Sequence, residues 1–553
     1  MASDILVTTA DGTLRGRRVG KLRAWRGIPY ARPPVGTLRL TRPQPVTPWT
    51  GERDATRFGD ASVQHKKGLL LAPGKYQPSS EDCLTLNVLA PANTGSTPLP
   101  VMVFIHGGAN TIGTSATGLY SGVSLVERGN VVYVSINYRL GALGYLDFTP
   151  FSTAERAFDS NLGLRDQVAA LQWVQRNIAA FGGDPEKVTI FGESAGATAV
   201  TTLMATPAAK GLFAGAIAES SAPDLVSSTQ RSHAWGARFV EILNSGLPPA
   251  KALTSATAVE LGRAGSKLGA EVLANTPGLH PFGPVVDGDF LPRSPLDAFK
   301  EGSAHRVPMI IGTNRREGTL FPKVLDALPT NPSRIDTMFA LTDPEAGKRI
   351  LATYPGYPDE QSAIDVGGDV TFWHPSVELM QAHAQSAPTY AYRFDFAPTM
   401  MRWLGLDATH GFEMFAVFGI GDTVIGRGLT LPGGRRGLRA VTESVQGHWL
   451  HFAKHGVPRG SWPRYDAQQR RTMIFDQIVR VENDPRREQR LAWAGYSGYR
   501  SHGTDISTVT SSLEITLDSG VVRGRVDRGL RTWRAIPYAA PRSAPGDFAR
   551  HRL

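Results

Sequence analysis

Cysteine is almost absent from the sequence, and long apolar runs are lacking. Cys83 is the only cysteine among 553 residues, so no intrachain disulfide can form and a disulfide-built secreted scaffold is excluded. No segment reaches the roughly 18 to 20 apolar residues that a transmembrane helix requires. The opening MASDILVTTADG lacks the basic and apolar regions of a signal peptide. We therefore expect a soluble, cytoplasmic protein without a membrane span.

A dense basic block and zinc-finger spacing are also lacking. The formal net charge is +10, but the basic residues occur mainly as singles and as pairs such as Arg315-Arg316 and Arg435-Arg436. This pattern favours a solvated, mildly basic surface over a nucleic-acid site, so no nucleic-acid partner is expected. With 41% hydrophobic and 20% charged residues, the composition is that of a globular protein with a sizeable core.

Strand-like and helix-like patterns alternate along the chain. In residues 164–178, apolar side chains recur at spacings of three and four, which predicts an amphipathic helix. Regions 220–300 and 326–387 have helical spacing and are predicted to be helical insertions above the sheet, where they would cover any active site. This alternation predicts an α/β fold with a mostly parallel central sheet and helices on both faces. The strand-like runs lie at residues 101–105, 131–136, 188–191, 307–311 and 390–394.

The end of the chain restates its beginning. At a constant offset of 508 positions, 13 of the 22 residues from Gly12 to Pro33 are identical to those from Gly520 to Pro541. A repeat architecture needs several complete units. We therefore interpret this single partial copy as the beginning of a second domain whose remainder is missing. Accordingly, we predict a main domain at 1–505, which would hold any catalytic site, and a non-catalytic tail at 512–553. Strand exchange between protomers is the alternative role for this tail.

The pentapeptide GESAG, residues 192–196, follows an apolar strand-like run and precedes a helix-like run. A strand, turn and helix with the pattern G-x-S-x-G form a nucleophile elbow, in which the serine hydroxyl is lifted clear of the sheet. Glycine at 192 and 196 avoids side chains that would collide where strand and helix nearly touch. The pattern therefore indicates that Ser194 is a nucleophile.

A serine nucleophile needs a base, a carboxylate that orients the base, and an oxyanion hole. The chain order in this kind of fold is serine, acid, histidine. Glu317, in GTNRREGT, and His410, in ATHGFE, follow Ser194 in that order. The loop HGGAN ends a buried strand and offers main-chain N–H groups to an oxyanion, and Ala195 should supply another.

Several long stretches resemble the type-B carboxylesterases, the group that includes bacterial esterases and cholinesterases, over about residues 5 to 500. The resemblance implies an α/β-hydrolase fold, no cofactor, and a small-molecule ester as substrate. The stretches are WRGIPYARPPVG, EDCLTLNV, HGGA, INYRLGALGYL, GLRDQVAALQWVQRNIAAFGGDPEKVTIFGESAG, GTNRREG, HGFE and WLHFAKHGVP.

The resemblance also assigns roles to individual residues. It makes Ser194 the nucleophile, His410 the base and then the acid, and Glu317 the orienting carboxylate. The remaining implied residues are Gly108, Ala109 and Ala195 as oxyanion donors, Gly107 as a shaper of the loop, and Glu193 and Ser220 as supporting residues around the histidine.

The sequence departs from the family at two places. Asn110 stands where the family often has an aromatic residue, which leaves that part of the pocket wall open. Cys83 matches a cysteine that often forms a disulfide with an upstream partner, but the expected upstream position holds Ser62. This difference suits a reducing compartment.

Other histidines and aromatic residues can be explained by packing. His106 precedes the serine, which is the wrong order for the base, so it is expected to support the oxyanion loop. Three histidines share a predicted helix face without acidic or cysteine ligands nearby, and we expect ordinary packing there and no metal. For four aromatic residues the sequence leaves two interpretations, a place in the wall of the pocket or a place in the core. The histidines are His448, His451 and His455, and the aromatic residues are Phe372, Trp373, Trp403 and Phe412.

The sequence as a whole predicts a serine hydrolase that cleaves carboxylic esters through an acyl-enzyme intermediate. An amidase or lactonase with the same triad is one alternative. A catalytically silent adhesion or scaffold protein of the same fold is another, although such a protein has no chemical need for Ser194, Glu317 and His410 together. The oligomeric state and the particular ester are left open by the sequence.

Overall fold

The computed structural model describes residues 5–64, 78–93, 95–460 and 462–500, together with four short strands between residues 514 and 532. The chain forms two compact units, Met1–His502 and Gly503–Leu553. All the predicted site residues belong to the first unit.

A 13-stranded sheet runs through the first unit, and a separate short pair, β10 and β11, lies outside it. The strands are β1 (Ile5–Thr9), β2 (Gly12–Val19), β3 (Leu22–Pro29), β4 (Glu52–Asp54), β5 (Thr85–Pro91), β6 (Leu99–Ile105), β7 (Val132–Ile136), β8 (Gly183–Glu193), β9 (Gly215–Glu219), β10 (Ser227–Ser228), β11 (Val285–Val286), β12 (Met309–Asn314), β13 (Thr389–Phe394), β14 (Arg471–Phe475) and β15 (Arg480–Asn483).

The centre of this sheet is parallel and its edges are antiparallel. Its order is β1-β2-β3-β5-β7-β6-β8-β9-β12-β13-β14-β15, with β4 beside β2. All neighbours from β7 to β14 in this order are parallel. Residues 101–105 of β6 are fully buried, and because successive side chains point to opposite faces, both faces of the sheet are covered. The predicted mostly parallel sheet is confirmed.

Helices cover the sheet and form the insertions predicted between the strands. The helices are α1 (Val123–Gly129), α2 (Gly141–Tyr145), α3 (Leu162–Asn177), α4 (Ala195–Met204), α5 (Thr229–Leu243), α6 (Pro249–Ser255), α7 (Ala258–Asn275), α8 (Pro295–Lys300), α9 (Phe321–Val324), α10 (Pro332–Thr342), α11 (Pro344–Leu351), α12 (Glu360–Gly368), α13 (His374–His383), α14 (Thr399–Trp403), α15 (Met414–Val417), α16 (Val424–Leu429), α17 (Arg435–His455) and α18 (Arg487–Trp493).

The helix expected at 164–178 is α3, and its apolar face is buried as its periodicity predicts. The region 220–300 contributes α5 to α8, and the region 326–387 contributes α10 to α13. In the described part of the chain, no helix has both the length and the apolar character that crossing a membrane requires.

A buried ion pair connects two of the stretches that carried the family resemblance. The guanidinium of Arg139, from INYRLGALGYL, donates two hydrogen bonds to Asp166, from GLRDQ, at 2.8 and 2.7 Å. Both side chains are almost fully excluded from solvent. Two parallel N–H to oxygen bonds satisfy the fork of the guanidinium and both carboxylate oxygens, which makes such a buried pair tolerable.

The second unit contains two antiparallel strand pairs, whose registers match those of the pairs β1-β2 and β2-β3. Its strands are β16 (Glu514–Leu517), β17 (Gly520–Arg523), β18 (Arg525–Asp527) and β19 (Leu530–Thr532). Ile515 pairs with Val522, and the residues 508 positions earlier, Val7 and Leu14, also pair with each other. The strands β18 and β19 pair in the register of β2 and β3 at the same offset. The rest of the predicted tail at 512–553 lies outside the described residues.

Candidate active site

Ser194 occupies the tight turn between β8 and α4. Its φ of +59° is a left-handed value that a non-glycine residue rarely adopts. A Cβ on Gly192 would lie 2.6 Å from the Ile105 carbonyl oxygen, and one on Gly196 would collide with the same atom. The two glycines therefore allow the strand and helix to approach, and the predicted elbow geometry is present.

Glu317 and His410 are brought together from separate loops. Glu317 begins a single 3-10 turn shortly after β12, whereas His410 lies in the segment between α14 and α15. Nδ1 of His410 is 2.6 Å from Oε2 of Glu317. The other carboxylate oxygen of Glu317 accepts hydrogen bonds from the Ser220 hydroxyl at 2.7 Å and from the Asn314 N–H at 2.6 Å. These bonds fix the carboxylate, and the carboxylate in turn fixes the ring.

The second ring nitrogen of His410 faces the residue before the nucleophile. Nε2 lies 3.2 Å from Oε1 of Glu193, although neither atom has a hydrogen-bond partner among the described residues. Ser194 and His410 line the same cavity, and no hydrogen bond joins them in this structure. Such bonds often tighten only when substrate binds. The arrangement therefore leaves Nε2 available for proton transfer.

Burial and neighbouring carboxylates act in opposite directions on His410. Burial alone would lower its pKa, but the negative charges of Glu193 and Glu317 outweigh that effect and raise the pKa to about 9. Burial raises the pKa of Glu193 to about 7, with His410 opposing the shift and Glu317 adding to it. The imidazolium form of His410 is thus stabilised by the surrounding acids.

A further buried glutamate, Glu413, completes this cluster and was not singled out from the sequence. Its Oε1 accepts from the Ser220 hydroxyl at 3.2 Å, and its Oε2 accepts from the Asn314 side chain. Burial, with repulsion from Glu193 and Glu317, raises its pKa to about 8. The available signals were a carboxylate three residues after His410 and an amide three residues before Glu317.

The loop after β6 lies directly against the nucleophile. A Cβ on Gly107 would lie 3.0 Å from Cβ of Ser194, and Gly108 has a φ of +115° that favours glycine. In the described part of the chain, the N–H groups of Gly108 and Ala109 donate no hydrogen bond to protein. The N–H of Ala195 opens α4, where helical N–H groups lack intrahelical partners. Gly108, Ala109 and Ala195 line the same cavity as Ser194.

His106 supports this loop, as its place in the sequence suggested. Its Nδ1 lies 2.9 Å from the Gly107 carbonyl oxygen, and its ring stacks on Tyr138 at 4.6 Å between centroids. Burial lowers its pKa to about 4, so the ring is neutral near neutral pH. These contacts leave it no role as the base.

The cavity at Ser194 has a volume of about 470 Å³ and a mostly apolar wall. Phe372 stacks on the His410 ring at 4.3 Å between centroids, and Phe412 also lines the cavity. Of the two interpretations left open for Trp373 and Trp403, a place in this wall applies to neither, because Trp373 packs in a separate core cluster and Trp403 is 74% exposed on the surface. Asn110 does line the cavity, and its side-chain amide donates to the Phe282 carbonyl oxygen at 3.1 Å.

The three histidines of α17 make ordinary packing contacts. The rings of His448 and Trp462 meet edge to face at 4.9 Å, and Nδ1 of His451 lies 2.8 Å from the Val457 carbonyl oxygen. The rings of His451 and His455 lie 4.4 Å apart. Within the described ranges, no group of three or more His, Cys, Asp or Glu side chains is arranged to hold a metal ion.

Most of the chain matches a known protein family. A family model described as "Carboxylesterase family" matches residues 3–493. The para-nitrobenzyl esterase of Bacillus subtilis (strain 168) is 37% identical over 496 residues, which cover 88% of this chain and 97% of that protein. The liver carboxylesterase of Sus scrofa is 34% identical over 521 residues, with coverage of 85% and 89%.

Solved structures agree with these sequence matches. A PNB esterase structure is 35% identical with a TM-score of 0.77, and the match covers 89% of this chain and 100% of that chain. A carboxylesterase of Geobacillus stearothermophilus is 34% identical with a TM-score of 0.75, covering 88% and 99%. The predicted α/β-hydrolase fold is confirmed.

Proposed function

Because the chain belongs to the carboxylesterase family and hydrolyses carboxylic esters as a serine hydrolase, we propose that Ser194, His410 and Glu317 form its catalytic triad. The observation that carries this assignment is the position of the His410 ring. Its Nδ1 is held by Glu317 at 2.6 Å, while the ring and Ser194 face one cavity. A third group that orients the base is the expected arrangement for an activated serine.

The hydrogen bond to Glu317 sets the protonation of the ring. An ionised carboxylate accepts the Nδ1 proton, so Nε2 of neutral His410 carries the lone pair that takes the proton of Ser194. Ser194 Oγ then attacks the ester carbonyl carbon. The imidazolium of His410 donates its proton to the leaving alcohol, and an acyl group remains on Ser194. Water repeats the sequence with His410 again as base, which releases the acid.

The tetrahedral intermediates place a negative charge on the former carbonyl oxygen. We assign the N–H groups of Gly108, Ala109 and Ala195 as its hydrogen-bond donors. Two observations support this assignment. All three residues line the cavity at Ser194. The N–H groups of Gly108 and Ala109 have no protein acceptor in the described part of the chain. Donors fixed in this way need no rearrangement as charge develops, and each contributes about 3 to 4 kcal/mol.

The cavity supports small-molecule esters with apolar acyl or alcohol groups as substrates. Its wall is largely aliphatic and aromatic, and the charged groups that line it, Glu193 and His410, belong to the cluster at the nucleophile. A relative is named for para-nitrobenzyl esters, and we extend to this chain turnover of aromatic nitro esters with short to medium acyl chains. A silent scaffold role is disfavoured because it gives no reason for the His410–Glu317 contact beside the cavity that His410 shares with Ser194.

A panel of nitrophenyl esters of increasing acyl length tests the assignment on the intact protein and on Ser194→Ala. The intact protein should turn over short to medium chains, and the variant should lose several orders of magnitude in kcat/KM. A fluorophosphonate should add one mass label to Ser194 of the intact protein and none to the variant. Labelling at another serine, or residual turnover near that of the intact protein, would remove Ser194 from this role. Matching far-UV circular dichroism of the two proteins checks that the variant folds.

A second panel separates esterase from amidase activity. Nitroanilides with the same acyl groups present an amide bond in place of the ester bond to the same site. Because an anilide leaving group is more basic than a nitrophenolate and depends more on proton donation by His410, we expect slower turnover of the anilides. Anilide turnover equal to or above ester turnover would favour the amidase alternative.

A further inference from the structure

Five large apolar side chains lie exposed in two short segments of the first unit. Three are almost fully open to solvent, namely Trp403 at 74%, Val424 at 83% and Leu431 at 85%, and two are about half exposed. Isolated exposed apolar residues are common, but several together usually mark a binding surface. We call this set the apolar rim, and its members are Trp403, Leu404, Val424, Ile425 and Leu431.

The two segments of the apolar rim are in contact with each other. A Cβ on Gly434 would lie 2.9 Å from Cα of Pro398, and one on Gly433 would lie 2.9 Å from the Thr399 hydroxyl oxygen. The segment 398–404 therefore packs beside the segment 424–434. The inward side chains of the same segments, Met401 and Leu429, line the cavity at Ser194. The apolar rim thus lies at the mouth of the active-site cavity.

Positive charge surrounds the apolar rim. The segments 399–407 and 421–439 contain five arginines and only two aspartates. Arg402 and Arg436 are exposed and form no ion pair with a described residue, whereas Arg435 and Arg439 share Asp422. Clustered arginines around exposed Trp and Leu side chains match the headgroup region of a negatively charged lipid layer, where an indole ring lies at the boundary and cations lie near phosphate.

We propose that the apolar rim and its arginines dock on an anionic lipid surface, so that apolar esters dissolved in the lipid pass directly into the cavity. A second copy of this chain fits the rim less well. In a two-fold symmetric contact the same patch meets itself, which places arginines opposite arginines. An anionic lipid layer instead offers apolar volume for Trp403 and Leu431 and phosphate groups for Arg402 and Arg436.

Co-sedimentation with phospholipid vesicles tests the docking on the full chain. The intact protein should bind vesicles that contain phosphatidylglycerol and should bind pure phosphatidylcholine vesicles much more weakly. The double variant Trp403→Ser/Leu431→Ser should lower binding by about tenfold or more, since it removes two interfacial anchors. The matched control, Leu6→Ser/Val259→Ser, changes two residues on β1 and α7 that are 53% and 58% exposed outside the rim segments, and it should bind like the intact protein.

A charge variant tests the electrostatic part of the docking. Arg402→Gln/Arg436→Gln should weaken binding to the anionic vesicles several-fold and reduce its sensitivity to salt, because about 1 kcal/mol is lost per basic residue near such a surface. The matched control is Arg263→Gln/Arg306→Gln, which removes two exposed arginines outside the rim. Equal losses in both pairs would show that net charge and not the rim attracts the protein, and would overturn the docking site.

Two further measurements keep the docking separate from catalysis and from self-association. Turnover of a water-soluble nitrophenyl acetate should be the same in the rim variant and the intact protein, and Ser194→Ala should still bind vesicles. Vesicle binding is therefore independent of whether the triad assignment holds. Unchanged vesicle binding by Trp403→Ser/Leu431→Ser would overturn the proposal. So would a fall in solution mass caused by that variant, which would mean that the rim joins copies of this chain.

Discussion

Oε1 of Glu193 lies 3.2 Å from Nε2 of His410, the ring nitrogen that Glu317 does not contact. A carboxylate at this position faces the nitrogen that is to accept the serine proton. It stabilises the imidazolium that forms during attack, but it also makes the resting histidine harder to deprotonate. The acids on the two ring nitrogens together hold the pKa of His410 at about 9.

The substitution Glu193→Gln should move the acid limb of the pH profile to lower pH. Only neutral His410 accepts the serine proton, so kcat/KM rises with pH as the ring loses its proton. Removing the negative charge beside Nε2 lowers the pKa of His410, and the limb should move down by about one pH unit or more. Steady-state kinetics with a nitrophenyl ester from about pH 5 to pH 10 measures the shift. The control Glu482→Gln, on the edge strand β15, should leave the limb unchanged.

The substitution Glu317→Gln should lower kcat by about 10³ to 10⁴ without unfolding the protein. The amide keeps the size of the side chain, but it cannot both accept the Nδ1 proton of His410 and stabilise the imidazolium. Asp365→Asn, which removes a carboxylate that pairs with Arg316 nearby, should change kcat little. Comparable losses in the two variants would mean that Glu317 contributes only local stability.

The substitution Gly108→Ala should lower kcat by on the order of 10² to 10³, the effect of losing one oxyanion donor. Its φ of +115° is unfavourable for alanine, and the new methyl group would collide with the Ile112 carbonyl group. The loop must therefore shift, and its N–H groups move with it. Gly118→Ala, whose Cβ would meet no atom within 4 Å, is the matched control. Wild-type kcat in Gly108→Ala would exclude this loop as the oxyanion site.

The substitution Asp166→Ala should destabilise the fold by about 3 to 5 kcal/mol, because it leaves the buried Arg139 guanidinium without its counter-charge. Chemical denaturation followed by circular dichroism measures the free energy of unfolding. The control Asp289→Ala removes a carboxylate that is 92% exposed and lies 3.9 Å from Arg165, and it should cost less than about 1 kcal/mol. A similar small loss for both variants would mean that the buried pair contributes little to stability.

Cys83 should resist thiol reagents in the folded protein. The side chain is fully buried, and burial with the nearby charge of Asp166 raises its pKa to about 12, so little thiolate forms near neutral pH. Ellman's reagent should find no reactive thiol in native protein and one thiol per chain in denaturant. Rapid reaction of the native protein would indicate local opening around Cys83 and Ser62.

The contact between Glu317 and His410 beside the cavity at Ser194 could be predicted because each signal is local. The pattern around Ser194 encodes a tight turn, and Glu317 and His410 follow strand-like runs in the required chain order. The contacts of Glu413 and the stacking of Phe372 on His410 could not be predicted, since they depend on how distant loops pack. The roles of the triad and oxyanion residues, the cytoplasmic location and the lack of a nucleic-acid partner stay predictions.

Tryptophan shows most clearly where sequence reasoning fails. Trp373 and Trp403 were equally plausible as pocket residues, yet one is buried in another cluster and the other is on the surface. A large aromatic residue gains free energy wherever it covers apolar surface, so its type does not specify its neighbours.

The candidate catalytic cluster and the walls that surround it belong to different parts of the fold. Ser194 and Ser220 directly follow parallel strands, and Glu317 lies close to the end of another, whereas much of the cavity wall comes from the helical insertions. Strands in the middle of a packed sheet tolerate little movement, but surface insertions accept changes in length and composition. Selectivity for different esters can therefore be redesigned by replacing insertion residues such as Leu279 or Leu328 while the bond-breaking chemistry is left untouched.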